Sequence, residues 1–400
     1  MSGSKPYCVI LLFLVISLTT LSIVYINGSE SAADGSRIIP IGVTSKQLDV
    51  EISSQVNPAL PNSYLSTNIT LGKGRPLSMA MDFTSNLLYV VSPSDVDRNV
   101  RNLIYVIDSN ENKVIDTIKV GSADHDFLRD VAVDSNSGMI YATGEYRVEE
   151  SGVTYENDSI YFIDPKTKQA DRISVYGEPE EGKEGDLSKI AVDPSLKLIY
   201  VGSLYPEGGM PGLYVVDPAK NDVKTMIDRW ESGVSEVLVD PISHVLIVTA
   251  KYDNLVSLIN SSTSEISKNV SIVDPVATSW DPEGSIYVAT GSGNISVIDP
   301  ISGKANNHFV GSSVQDLSFD PKARMLYITS INKTVQLTPN SSEPIGKLMV
   351  MNPTTRVANV IFQSEAALTK TITNPSSGTV YTLGYDDKNS KLFILKPQLS

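Results

Sequence analysis

The chain has 400 residues and a formal net charge of −14, from 32 basic and 46 acidic side chains. This acidic surplus excludes a nucleic-acid partner, because phosphate binding needs a basic face. The single cysteine, Cys8, excludes disulfides, zinc thiolates and a cysteine nucleophile from everything downstream of it.

Cys8–Ile26 runs for 19 positions without a charge, with Lys5 before it and Glu30 and Asp34 after it. That length suffices to cross a bilayer, and the positive flank predicts that the Lys5 side stays inside. A signal anchor and a cleaved signal peptide both fit residues 1–26, since Ser31-Ala32-Ala33 offers a small-x-small site past the run. In either case residues 27–400 are expected outside the cytoplasm, with the membrane as a partner if the helix is retained. Residues 27–66 read as a spacer with one candidate strand at Leu48–Ile52.

From residue 67 onward the chain is built on two interleaved half-patterns. The first is apolar–x–apolar–Asp followed seven residues later by a Tyr or apolar position. It occurs at Asp82/Tyr89, Asp134/Tyr141, Asp193/Tyr200, Asp240/Ile247, Asp320/Tyr327 and Asn374/Tyr381, with Asp281/Tyr287 one residue shorter. The second is a pair of apolar residues and then Asp or Asn, at Asp108, Asp164, Asp217, Asn260, Asp299 and Asn352, with Lys396 in the seventh copy. The short Val-, Ile- and Tyr-rich runs between turn residues predict strands. Copies about 49 residues apart, made only of strands, predict an all-β, seven-bladed β-propeller of four-stranded antiparallel blades over residues 67–400.

The seventh copy stops one strand short, at Ser400, while Thr67–Gly72 resembles the fourth strands of other copies. This predicts that the N-terminal segment supplies the outer strand of the last blade and removes an exposed edge.

Turn lengths divide the two faces. The strand one-to-two and three-to-four turns are short (DPSLK, DPISH, DPEG, DPKA). The strand two-to-three connections are long, at Ser92–Asn102, Gly144–Asp158, Ser203–Gly212 and Ser330–Lys347, and the link Tyr176–Ser188 lies on the same side. Irregular loops on a rigid scaffold are where binding usually resides. Glu145–Asp186 carries twelve acids against five bases on that side, a cluster suited to Ca²⁺ or a cationic partner. Asp95, Asp97 and Asn99 have the opening spacing of a calcium loop. Val100 and Val106 replace the required Gly and Glu, which excludes an EF-hand and leaves an irregular oxygen cage as the candidate metal site.

The residue four before each repeat Asp is expected at the channel mouth on the long-loop face. Those residues are Ser78, Asp130, Lys189, Glu236, Ala277, Asp316 and Lys370. Asp130, Lys189, Glu236, Asp316 and Lys370 form the candidate binding ring, because opposed charges around a cleft perturb one another. Ion pairs with a purely structural role explain the same residues. His125, His244 and His308 fall in different repeats without ligand spacing. Asn27, Asn68, Asn157, Asn260, Asn269, Asn294, Asn332 and Asn340 sit in N-x-S/T sequons, expected to face solvent as glycosylation sites in an exported chain.

The segments YVVS at Tyr89–Ser92, YVGS at Tyr200–Ser203, IVTA at Ile247–Ala250 and YITS at Tyr327–Ser330 are each followed downstream by an apolar pair and Asp or Asn. On these, residues 67–400 resemble the YVTN family of β-propellers, found in archaeal surface-layer-type proteins and exported bacterial relatives. Only Gly74-Arg75-Pro76 approaches the family's Pro-x-Gly before the inner strand. The resemblance implies a cell-surface protein with a binding or structural role, whose partner is a cell-envelope protein or glycan, and it brings no catalytic residues. A lactonase-like hydrolase at the channel mouth is the alternative. Electron transfer has no haem or thiolate motif to support it.

Overall fold

The computed structural model describes residues 63–91, 102–122, 125–150, 153–175, 186–204, 211–240, 242–311, 313–332, 345–386 and 388–398. All belong to one compact unit, Ala59–Ser400. The apolar run 8–26 and the candidate strand 48–52 lie outside the described residues, as do Asp95, Asp97, Asn99, Asn27 and Asn340. Among the described residues no helix is long and apolar enough to cross a membrane.

The described strands form seven four-stranded antiparallel sheets. Blades 1 to 6 occupy 79–119, 126–174, 186–227, 236–271, 275–309 and 313–364, each with its strands in chain order. Blade 7 is Ala367–Asn374, Thr379–Tyr385 and Ser390–Pro397, with Tyr64–Gly72 on its outer side. Thr67 lies opposite Ile394 in that last pairing, and the strand begins at Tyr64, ahead of the expected Thr67. The Gln398 N–H donates to the Ser63 carbonyl and carries the ladder one step further.

The repeat Asp is a turn acceptor. Asp193 accepts from the N–H groups of Ser195 (2.9 Å) and Leu196 (3.0 Å), and Asp320 does the same for Lys322 (2.8 Å) and Ala323 (3.0 Å). The half-pattern residues of the three-to-four turns repeat the device, as Asn260 does for Ser262 and Thr263. Four residues after the Asp or Asn the backbone turns left-handed, at Lys197 (φ 54°), Arg324 (φ 57°) and Asn112 (φ 54°) among others. A short side-chain acceptor that caps its own turn is the physical basis of the Asp repetition.

The repeat Tyr is an inter-blade strut. Tyr200 is fully buried, and its hydroxyl donates to the Ser261 carbonyl in the next blade (3.2 Å). Tyr381 reaches the Ser109 carbonyl of blade 1 in the same way (3.0 Å). Burial pushes both phenols up to about 12. Each pair of adjacent blades shares one apolar cluster. Blades 7 and 1 meet through Tyr381, Leu383, Leu392 and Ile394 against Met79, Met81, Leu88 and Val90. The seven sheets therefore close into a ring whose core lies between blades.

Two outcomes follow. Removing residues 1–74 exposes the blade 7 edge and the Leu71 contact, so the melting temperature should drop by several degrees or more; an unchanged melting temperature refutes the dependence. Tyr200→Phe should cost about 1 kcal/mol and Tyr200→Ala about 3–5 kcal/mol in denaturant unfolding, and a Tyr200→Phe variant as stable as the wild type would show that the hydroxyl contributes nothing.

Candidate functional site

The inner strand of each blade is the edge of its sheet, and inner strands of neighbouring blades lie side by side around the axis. Their outward N–H groups have no ladder partner, so side chains of the preceding blade supply acceptors. Asp130 in blade 2 accepts from the Ile190 N–H of blade 3 (3.0 Å), and Asp316 in blade 6 accepts from the Thr371 N–H of blade 7 (2.8 Å). Two residues along the strands, Ser279 accepts from the Phe319 N–H (3.0 Å) and Ser318 from the Thr373 N–H (3.1 Å).

The lysines stand one residue before those N–H donors. Lys189 Nζ lies 3.5 Å from Asp130 Oδ1, and Lys370 Nζ lies 3.2 Å from Asp316 Oδ1. Both pairs arise from one device, in which an acid of one blade clamps the backbone and the ammonium of the next. A register shift in the inner strand, between Leu128 and Asp130 and between Val314 and Asp316, re-aims each acid. Opposite the first shift stands Gly144, where a Cβ would lie 2.0 Å from the Phe127 carbonyl oxygen.

Glu236 holds the same position in blade 4, but the next blade has Ala277 where the others have lysine. Its Oε2 is buried without a hydrogen-bond partner among the described residues. Burial pushes its carboxyl up to about 7; Lys370 and Lys189 oppose this, and Asp316 and Asp130 add to it. For Lys370, burial favours the neutral amine, but Asp316, Glu236 and Asp130 outweigh it and hold its pKa above the ordinary value. The sequence ring is thus two ion pairs and one unpaired carboxyl, with Ser78 and Ala277 buried and uncharged.

A cavity of about 370 Å³ runs along the inner strands from Glu236, Asp316 and Lys370 to the short turns at Phe83, Pro282, Pro321 and Pro375. The charges were expected at a mouth on the long-loop face. Glu236, Asp316 and Lys370 line a cavity that extends along the inner strands to the short turns, and Asp130 and Lys189 are not part of its lining. Thr278, Ser279 and Trp280 also line it. They were not singled out in the sequence, since nothing there distinguishes a channel-lining Thr from any other strand Thr. Among the described residues, no three His, Cys, Asp or Glu side chains group closely enough to hold a metal ion.

The expected loop Gly144–Asp158 is mostly a ribbon. The second and third strands of blade 2, Ile140–Glu150 and Val153–Ile163, stay paired out to Glu150 and Val153. The inner strand pairs only as far as Tyr146 and the outer only from Ser159, so the ribbon extends past both. Its base is tied down by charge. Arg129 pairs with Glu145 and Asp186, Arg147 stacks 4.1 Å over Phe127, and Arg172 stacks 3.3 Å over Tyr146.

The three histidines sit in different blades. His125 bonds the Arg147 carbonyl (2.8 Å), His244 meets Asp193 (3.2 Å), and His308 is in an outer strand with Nε2 buried. Of the sequon residues, Asn68, Asn260 and Asn269 are exposed, and Asn294 and Asn332 are half-buried. Asn157, expected to face solvent, is 4 % exposed, and its Oδ1 accepts from Ser174 (2.6 Å) because the outer strand of blade 2 folds over it.

Glu236 makes stability depend on pH. The unfolded chain releases this proton near the ordinary 4.5 and the folded chain near 7, so the folded state binds more protons between them. Stability contributed at this site is therefore lost as pH rises from about 4.5 to 7 and is flat beyond. Glu236→Gln should gain roughly 1–3 kcal/mol on the wild type between pH 5 and pH 8, measured by denaturant unfolding. Parallel curves for the two proteins would refute the assignment.

No family model matches the sequence, and no curated protein matches it. Among solved structures, a chain from the crystal structure of a mitotic checkpoint complex superposes with a TM-score of 0.59 at 12 % identity, over 90 % of this chain and 98 % of that one. In all, 1314 solved chains match, so the likeness establishes the propeller fold and leaves function to the site.

Proposed function

We propose that this chain is an exported cell-surface protein of the YVTN-repeat kind, whose propeller binds a cell-envelope protein or glycan through its long-connection side. The blade 2 ribbon is the observation that carries this reading. It is a two-stranded extension of the backbone ladder beyond the sheet, on a base braced by Arg129, Arg147 and Arg172. A rigid scaffold with a protruding polar ribbon suits recognition. The apolar run 8–26 with Lys5 before it supports export, and the exposed sequon residues Asn68, Asn260 and Asn269 are compatible with glycans. Calcium at Asp95, Asp97 and Asn99, within the sequence-expected long connection Ser92–Asn102, belongs to the same proposal.

A lactonase-like hydrolase is the second reading. Glu236 favours it, because a carboxyl held near 7 suits a general base. Against it, Asp130 and Asp316 are committed to lysines and backbone, and no hydroxyl or imidazole bonds Glu236 Oε2 among the described residues.

Protease treatment of intact cells should remove the domain, and full protection would refute export. The purified chain should rebind to stripped cell envelopes, more weakly in a calcium chelator. A variant with residues 148–155 replaced by Asn-Gly, which keeps Arg147 and its paired Glu156, should keep its melting temperature and fail to rebind; undiminished rebinding would overturn the ribbon's role.

A further inference from the structure

The third acid position of the ring breaks the rule that the other two obey. Asp130 and Asp316 each receive an ammonium and a backbone N–H from the next blade. Glu236 meets Ala277 instead of a lysine, and its Oε2 is left without a partner among the described residues. One residue further on, Thr278 is 5 % exposed and its Oγ1 is also unpartnered. Both residues line the 370 Å³ cavity.

We propose that this cavity is a binding site for a small organic cation, an amine with an apolar body, whose ammonium group takes the place of the missing lysine between Glu236 and Thr278. The charges select the sign. Asp130 with Lys189 and Asp316 with Lys370 cancel in pairs, so ionised Glu236 leaves the ring one negative charge in excess. An ammonium donates to both orphaned oxygens, whereas a carboxylate ligand would face Glu236 and compete with Asp316 for Lys370. The wall selects the body. Trp280, Phe83, Leu238 and Ile372 line the cavity, and Phe83 is 48 % exposed at its rim. Aromatic and aliphatic walls around one buried carboxylate that no lysine pairs, beside the Asp316–Lys370 pair, suit an amphiphilic amine. The site lies on the short-turn side and does not depend on the envelope-binding reading.

Binding is coupled to a proton. Free Glu236 is largely protonated at pH 6, and the charged groups that face it are Asp130, Lys189, Asp316 and Lys370. An amine binds the carboxylate, so it expels the Glu236 proton, and affinity rises as pH increases from 5 to 8.

The test is calorimetric titration of the full-length chain with 2-phenylethylamine, 2-phenylethanol and phenylacetate, at several pH values and in buffers of different ionisation enthalpy. The amine should bind roughly tenfold or more tightly than the alcohol, with phenylacetate weakest, and release up to one proton at pH 6. Glu236→Gln should abolish the amine preference and the proton release while leaving the fold intact. Ala277→Lys, which restores the clamp seen at the other two acids, should block the amine as a second check. No amine binding up to about 10 mM, tighter binding of phenylacetate, or an unchanged preference in Glu236→Gln would each overturn the proposal.

Discussion

An edge strand facing a central channel has N–H groups that its own sheet cannot satisfy. Seven such edges meet around the axis here, and the molecule answers with acceptors borrowed from the preceding blade. Asp130, Ser279, Asp316 and Ser318 each reach across to a backbone N–H of the next inner strand. These bonds tie blade 2 to blade 3, blade 5 to blade 6 and blade 6 to blade 7 along the channel, beside the apolar clusters that join the same blades. The tyrosine struts act at larger radius to the same end, with Tyr200 and Tyr381 carrying a hydroxyl from one blade to a turn of the next.

The same constraint explains the chemistry of the channel. A carboxylate placed to hold a backbone N–H is buried, and burial is unfavourable unless a cation accompanies it. Lys189 and Lys370 are those cations. Where blade 5 offers Ala277, the compensation is missing, and Glu236 responds by holding its proton to a higher pH. A site of altered acidity thus appears where a repeated structural device is left incomplete, with no dedicated catalytic motif. The cavity beside it, about 370 Å³, is wide enough for a small ligand.

The long-connection side follows a different logic. Turns capped by their own Asp or Asn are tight and tolerate little variation, so insertions accumulate on the opposite side. In blade 2 the insertion kept the strand period and became a paired ribbon. The backbones of the two strands continue their ladder past the sheet to Glu150 and Val153, and arginines at the base hold it in place.

Blade number, strand order and the turn positions were legible in the sequence, because each rests on local chemistry repeated in register. An Asp that caps its own turn and a Tyr at fixed distance are visible without any knowledge of the fold. The alternation at Tyr146 and Val148 was legible too, yet the segment reads as a loop when judged by length alone. Which charges pair was decided only by the tertiary structure. Asp130 and Lys189 are separated by 59 positions, and nothing local tells that they meet while Glu236 stays alone. The burial of Asn157, the direction in which the cavity opens and the part played by Thr278 and Trp280 were likewise settled by packing. Each depends on the angle at which one blade meets the next, which is a property of the closed ring and of no single repeat.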